Sequence, residues 1–349
     1  MEAQLKPIEH SEFLGQKMEH KYTSTGIKFW RHMQQMGEYK AGNHNTIIST
    51  HISPEGACNL KCSYCSVIHR NNHERIELSV IKKYIDNLCQ RGLKAVILTG
   101  GGEPTIYKHF NELVQWIKNK GLSVALITNG TLTDTIEDET LKCFSWVRVS
   151  INTFKDWEQK IKFPFDKVSD DCIIGCSLVF TAECTTDLFK KIANVADNCG
   201  ATYIRLLPDC LLEQTKLLEQ HKLLDKILLK INDSRFFHQY KVHGVPKCDT
   251  CHQSYFRPYL SEVDGGTVYP CDSVVLNDEL AHFTQKYQLC KAENILDYID
   301  SKIKAKFAPR ESCKGCVFTN NVNMLDDFIN DKIDKRGKFL KPLMHEEFV

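Results

Sequence analysis

The chain has little that would tie it to a membrane, a polyanion or an export pathway. No apolar run approaches the roughly 20 residues that a helix needs to cross a bilayer. Lysine and arginine total 45 against 44 aspartate and glutamate, a formal net charge of +1, so no excess of one sign argues for nucleic acid or an acidic surface. The opening residues, MEAQLKPIEHSEF, lack the apolar core of a signal peptide. A cytoplasmic protein with no membrane partner and no nucleic-acid partner is expected. Internal repeats and low-complexity stretches are also missing from the 349 residues. What remains is 42% hydrophobic and 26% charged, the make-up of a globular protein that buries a core in one large domain or a large and a smaller one.

Cysteine is the exception, at 16 residues. In a reducing compartment structural disulfides do not account for so many. Cys89, Cys143, Cys172, Cys176 and Cys199 fall within apolar helix or strand patterns and read as small buried hydrophobes. Two other groups do not. The stretch CNLKCSYC, residues 58 to 65, holds Cys58, Cys62 and Cys65 with gaps of three and two residues. A later set, Cys248, Cys251, Cys271, Cys290, Cys313 and Cys316, lies among polar, glycine- and proline-bearing residues. Thiolates so placed bind soft metals and iron–sulfur clusters. Three protein ligands on a four-iron cubane leave one iron open, as a catalytic cluster needs. A zinc knuckle that borrows His51 or His69 is the competing reading of the first group.

Periodicity places these groups in a fold. Apolar strand patterns occur at 45–53, 95–100, 123–128, 146–151, 172–180 and 202–208. Helical spacing separates them, as at Val80, Ile81, Tyr84, Ile85 and Leu88, and again at Phe110, Leu113, Val114 and Ile117. A helix is also expected over 134–144. Alternating strands and helices predict βαβ units and a parallel sheet, hence an α/β fold. A long amphipathic helix at about 211–233 leads out, and 240–320 reads as loop-rich, with a boundary near 235.

Parallel α/β folds bind ligands beyond the carboxyl ends of their strands. The first strand is followed by the three cysteines and the second by GGGEPT at 100–105. TNG at 128–130 follows the third, Ser150 and Asn152 end the fourth, Glu183 and Cys184 follow the fifth, and Asp209 and Cys210 follow the sixth. Small, polar and thiol groups therefore gather on one face. Gly100, Gly101 and Gly102 let a backbone approach a ligand closely, although a glycine run after a strand is also an ordinary tight turn.

Together these residues carry a resemblance. Cys58-x3-Cys62-x2-Cys65, with Tyr64 before the last cysteine, resembles the signature loop of the radical S-adenosylmethionine (SAM) superfamily. GGEP at 101–104 resembles that family's motif for the amino group of SAM. The resemblance covers roughly 45 to 210 and implies a partial (β/α)6 TIM-like barrel. It implies a [4Fe–4S] cluster on Cys58, Cys62 and Cys65 whose fourth iron SAM chelates. It implies SAM contacts from Tyr64, Gly101, Gly102, Glu103, Pro104, Asn129, Ser150, Asn152 and Val179. Many relatives carry Asp where this chain has Asn152.

The late cysteines resemble the Twitch and SPASM auxiliary-cluster domains, in the shorter Twitch form. That resemblance implies a second [4Fe–4S] cluster on Cys251, Cys271, Cys313 and Cys316, with Cys248 and Cys290 left over. A zinc ribbon built on Cys248-x2-Cys251 and Cys313-x2-Cys316 is the alternative. The expected organisation is a helical extension at 1–44, a radical SAM core at 45–235, a Twitch-like segment at 236–325 and a tail at 326–349.

The expected activity is that of a radical SAM oxidoreductase. Reductive cleavage of SAM by an electron from a donor such as flavodoxin or ferredoxin gives a 5′-deoxyadenosyl radical that takes hydrogen from a substrate. A small molecule such as a sugar or nucleotide derivative is favoured, and oxidation over epimerisation. Cys184 and Cys210 are the candidate hydrogen donors if epimerisation is the outcome. A maturase of a ribosomally made peptide is the alternative enzyme, and a zinc-bearing nucleic-acid binding protein the alternative of another class.

Overall fold

The computed structural model describes residues 18–181, 185–277, 285–301, 307–333 and 341–349. Its frame is one sheet, in which β1 (Ser49–Ile52), β2 (Ala95–Leu98), β3 (Ser123–Thr128), β4 (Phe144–Ile151), β5 (Ile173–Phe180) and β6 (Tyr203–Pro208) follow one another in parallel. β7 (Phe236–His238) continues the series in parallel beside β6. On the other edge β8 (Tyr259–Ser261) runs parallel to β1, and β9 (Thr267–Tyr269) and β10 (Cys290–Lys291) add antiparallel. The chain is therefore α/β with a mainly parallel sheet, as a partial TIM-like barrel requires.

The connecting helices form where the apolar spacing predicts them. Leu78–Cys89 buries Ile81, Tyr84, Ile85 and Leu88, and Phe110–Asn119 buries Phe110, Leu113, Val114 and Ile117. Gly92 and Gly121, just beyond these helices, take φ of +94° and +78°, a left-handed conformation that ends a helix without Cβ strain. Thr186–Asn198 starts at Thr185, whose hydroxyl accepts a bond from Leu188 N.

Two expectations are revised. The helix expected over 134–144 shrinks to Asp138–Leu141, because Phe144 pairs with Val124 and opens β4 two residues early. The long exit helix is Gln214–Leu228, shorter at both ends than the apolar pattern.

Register fixes what points into the barrel. His51, Ile97, Ala125, Trp146 and Ile173 are paired neighbours across β1 to β5. Phe348 packs edge-on against Trp146 at 5.4 Å and joins the cluster of Ala95, Ile97 and Ala125. The tail thus docks back into the amino-terminal end of the barrel, a question its sequence leaves open. The next layer holds Ile127, Arg148, Gly175 and Tyr203. A Cβ on Gly175 would sit 2.0 Å from the Tyr203 ring, so only glycine admits that ring. The layer above holds Ser150, Ser177 and Arg205. The lumen is apolar at the strands' amino ends and polar toward their carboxyl ends.

Candidate functional site

The three-cysteine loop leaves β1 along a pinned segment. Gly56 N donates to Glu74 O at 2.9 Å, Ile76 N donates to Pro54 O at 3.0 Å, and Glu55 bridges Arg75. A turn closes the loop, with Cys65 N donating to Cys62 O at 3.1 Å. Cys58, Cys62 and Cys65 are all half-buried free thiols. Arg70 braces them. Its Nε donates to Gly56 O at 2.8 Å, and its Nη1 to Val67 O at 3.0 Å and Cys65 Sγ at 3.4 Å. Asn129 Nδ2 reaches Cys58 Sγ at 3.9 Å and Asn59 Oδ1 at 2.8 Å.

Burial raises the Cys58 thiol and pushes Cys62 up to about 11, with the neighbouring thiols adding to each and Arg70 opposing. Burial and neighbouring thiols thus oppose ionisation of Cys58 and Cys62 until cations arrive, which is what iron supplies. Among the described residues no three His, Cys, Asp or Glu side chains close on one point as they would around a single ion. A cubane spreads its thiolates over separate irons and needs no such point.

The glycine segment after β2 lies directly against this loop. Gly102 N donates to Glu55 O and Glu103 N to Ala57 O, each at 2.8 Å, and Gly101 N donates to the Ser53 hydroxyl. A Cβ on Gly102 would fall 1.9 Å from Ala57 O, and one on Gly101 1.9 Å from Glu262 Oε1. The glycines are therefore demanded by close approach as well as by the turn. Glu103 is 2% exposed. Its Oε1 accepts from Thr105 N at 3.2 Å, Thr105 Oγ1 at 2.8 Å and Thr128 Oγ1 at 2.6 Å, while Oε2 accepts from Asn129 N at 2.7 Å. Burial pushes this carboxyl up and those donors oppose the shift. Glu103 thus ties the glycine loop to the TNG loop, and Oε2, with a single donor, keeps capacity for one more.

Across the mouth, Tyr64 OH donates to Asn152 Oδ1 at 2.7 Å, and Asn152 Nδ2 donates to Ser150 O at 3.1 Å. Tyr64 and Val179 share the wall of a cavity of about 320 Å³, with Trp157, Leu178 and Thr181. The structure thereby gathers Cys58, Cys62, Cys65, Tyr64, Gly101, Gly102, Glu103, Pro104, Asn129, Ser150, Asn152 and Val179 around one end of the barrel. Cys210 is half-buried just past β6, its thiol raised by burial and opposed by Lys241 and Arg205. Cys184 lies outside the described residues.

The late cysteines come from three separate segments, the last of which carries both Cys313 and Cys316. Cys251 precedes the turn His252–Tyr255, Cys271 follows β9, Cys313 ends the helix Pro309–Ser312, and Cys316 exchanges backbone bonds with Gly244 at 3.1 Å. Cys251, Cys271, Cys313 and Cys316 line one narrow cavity with Val274, Phe307 and Phe318. Burial raises all four thiols, and their mutual proximity raises Cys251, Cys271 and Cys313 further. Cys248 abuts this group from behind, 4% exposed, against Phe318 and Val322. Cys290 lies elsewhere, on β10, beside Tyr84.

Two residues of the mouth escaped sequence reasoning. Arg70 sits in a polar run, HRNNHER, where the histidines draw attention. Glu262 is 1% exposed beside Gly101, bonded by Ser261 Oγ at 2.9 Å. No local pattern marks it, since it reaches the site only because β8 adds to β1. His51, the suggested zinc ligand, points into the lumen and meets Asp272 at 3.4 Å.

Comparison with known proteins bears on this geometry. Residues 52–165 match the Radical SAM superfamily. The chain is 35% identical over 85 residues to the S-adenosylmethionine-dependent nucleotide dehydratase of Selenomonas ruminantium, covering 24% of this chain and 30% of that protein. It is 37% identical over 109 residues to the Fe-coproporphyrin III synthase of Methanosarcina barkeri, covering 30% of this chain and 27% of that one. It thus spans under a third of the length of these curated relatives. In three dimensions it is similar to SuiB of Streptococcus suis bound to S-adenosylmethionine, with a TM-score of 0.53 over 78% of this chain and 73% of that one. At 13% identity, that likeness speaks to fold. With the cysteine loop and glycine segment set at the mouth of a partial barrel, and the sequence match running through both, residues 52–165 are those of a radical SAM domain, a superfamily whose enzymes use SAM and a [4Fe–4S] cluster.

Proposed function

We propose that this enzyme is an oxidoreductase with a second, four-cysteine cluster, acting on a small molecule such as a sugar or nucleotide derivative. The observation that carries the reading is the convergence of Cys251, Cys271, Cys313 and Cys316 on one buried cavity beside the lumen. Four thiols satisfy the four irons of a cubane and leave none open to substrate, which suits outer-sphere electron transfer and hence net oxidation. Residues 45–235 would then form the core and 236–325 a Twitch-like unit.

When bound, the first cluster and SAM supply the reductive cleavage that yields methionine and a hydrogen-abstracting 5′-deoxyadenosyl radical. Cys58, Cys62 and Cys65 would hold three of its irons. The Gly101 to Pro104 backbone would receive the amino group of SAM, Ser150 and Asn152 its ribose or carboxylate, and Tyr64, Asn129 and Val179 the rest. The chain's own work is positional. Arg70 and Asn129 orient the thiols, Glu103 locks two loops together, and the packed layer at Trp146 and Phe348 closes the far end of the lumen. An electron donor of the flavodoxin or ferredoxin kind would reduce the cluster.

Metal analysis of anaerobically prepared protein tests the reading. It should find about eight irons per chain, as two cubanes require. One equivalent of zinc with iron for a single cluster would overturn the auxiliary-cluster assignment. Turnover in deuterated water tests the outcome. Oxidation gives a product two hydrogens poorer with no solvent deuterium at the reacting carbon. A product of unchanged composition that gains deuterium, and loses it in Cys210→Ala or Cys184→Ala, would show epimerisation instead.

A further inference from the structure

Several basic side chains face the barrel interior, and they are not equally engaged. Arg148 donates from Nε to Tyr203 OH at 3.1 Å and from Nη2 to Tyr22 O at 2.8 Å. Arg257 donates to Val349 O at 3.3 Å and lies 3.8 Å from Asp272, which also meets His51. These groups have acceptors. Arg205 and Lys241 differ.

Among the described residues Arg205 has one acceptor, the neutral Gln239 Oε1 at 3.0 Å from Nη1. Its Nε is fully buried and has no hydrogen-bond partner among the described residues. The Lys241 ammonium has no hydrogen bond or ion pair among the described residues, and its Nζ rests 4.9 Å above the Phe318 ring, which the Arg257 guanidinium also meets at 4.5 Å. Both side chains keep partial exposure. Burial pushes Arg205 down to about 9, with Arg148 adding repulsion, and burial lowers Lys241 too. Two carboxylates act on Lys241: Asp272, which His51 and Arg257 already engage, and Glu19, which bonds Gln239 and is itself raised by burial. Arg148, Arg205, Arg257 and Lys241 thus outnumber Glu19 and Asp272, and that excess of positive charge in a buried setting costs free energy that an incoming anion recovers.

Their position decides what anion. Arg205 shares a layer with Ser177 and Ser150, one step below Val179 and Asn152. Lys241 lies within electrostatic reach of Cys210, Cys316 and Asp272. The pair therefore lies between the SAM end of the lumen and the four-cysteine cavity.

We infer that Arg205 and Lys241 form an oxyanion site in the barrel lumen that binds a carboxylate or phosphate of the substrate and orients its carbon skeleton between the two cysteine groups. The inference rests on the radical SAM reading for the use of the lumen as reaction chamber, and deepens it by assigning the substrate a negative charge. Ser177 supplies a further hydroxyl donor in the same layer.

The test uses the reconstituted holoenzyme saturated with SAM and titrated calorimetrically with inorganic pyrophosphate and, separately, with succinate. At least one probe should bind saturably and more weakly as salt rises. Lys241→Gln and Arg205→Gln should each weaken that binding about ten-fold or more, with Lys222→Gln on an exposed helix face unchanged and Arg205→Lys partly restored. Tighter pyrophosphate identifies a phosphate site and tighter succinate a carboxylate site. Three results overturn the inference: no binding of either probe up to about 10 mM, binding indifferent to both variants, or a loss of SAM affinity in place of probe affinity. The third would mean that the pair grips the SAM carboxylate. Formation of 5′-deoxyadenosine in the same samples reads the radical chemistry separately. Its absence with probe binding intact would remove the proposed reaction and leave the oxyanion site standing.

Discussion

The two cysteine groups are built in opposite ways. Cys58, Cys62 and Cys65 come from one loop, half-buried at the barrel mouth, and are held by polar contacts from Arg70 and Asn129. Cys251, Cys271, Cys313 and Cys316 come from three segments spread over the late chain, and sit under Tyr259, Tyr269, Tyr287 and Phe307. The first group is organised by local hydrogen bonds and stays reachable by a small molecule. The second is organised by an apolar core, with Cys313 buried and Cys251, Cys271 and Cys316 half-buried. A site that must hold SAM needs the first construction, and a site that only relays electrons suits the second.

The largest effect expected from this contrast is functional. Changing Cys58, Cys62 or Cys65 to Ala should reduce 5′-deoxyadenosine formation to background, because no other cysteine lies in that loop. The melting temperature of the metal-free protein should hardly move, since these side chains are not core. Substantial SAM cleavage in any of the three would break the assignment. Next in size, the paired change Cys313→Ala and Cys316→Ala should lower iron from about eight to about four per chain and leave the first cluster in place. It should also destabilise the metal-free protein by about 1–3 kcal/mol, because thiols are removed from a packed cavity. Unchanged iron would contradict the second cluster, and unchanged stability would contradict the difference in construction. The smallest effect is expected at Gly101→Ala. The new methyl would displace Glu262 or the loop, so SAM affinity should fall roughly ten-fold with iron content intact. Loss of iron instead would show that the glycine segment supports the cluster loop and not the ligand.

Legibility followed the range of the interactions. Cys58, Cys62 and Cys65 were readable because their spacing is itself the ligand geometry, and GGEP because close approach calls for glycine wherever it occurs. The six strands and the helices Leu78–Cys89 and Phe110–Asn119 were readable because burial on one face writes a period into the chain. β7 to β10 have two or three residues each, too few to show a period, and their pairing depends on the edges that β6 and β1 leave open. The helix expected at 134–144 failed for a related reason: pairing with β3 outweighs the local helical preference of Phe144.

What the sequence determined by itself is the set of elements whose cause is local: the parallel βαβ series, the three-thiol loop and the glycine turn beside it. Only the tertiary structure decided that Glu262 backs Gly101, that the tail closes the barrel with Phe348, that Cys248 stands behind the four thiols and Cys290 apart from them, and that the half-buried Arg205 has a neutral amide as its hydrogen-bond acceptor. Each of these depends on residues far apart in the chain, brought together by burial of surfaces and pairing of strand edges that no short window of sequence contains.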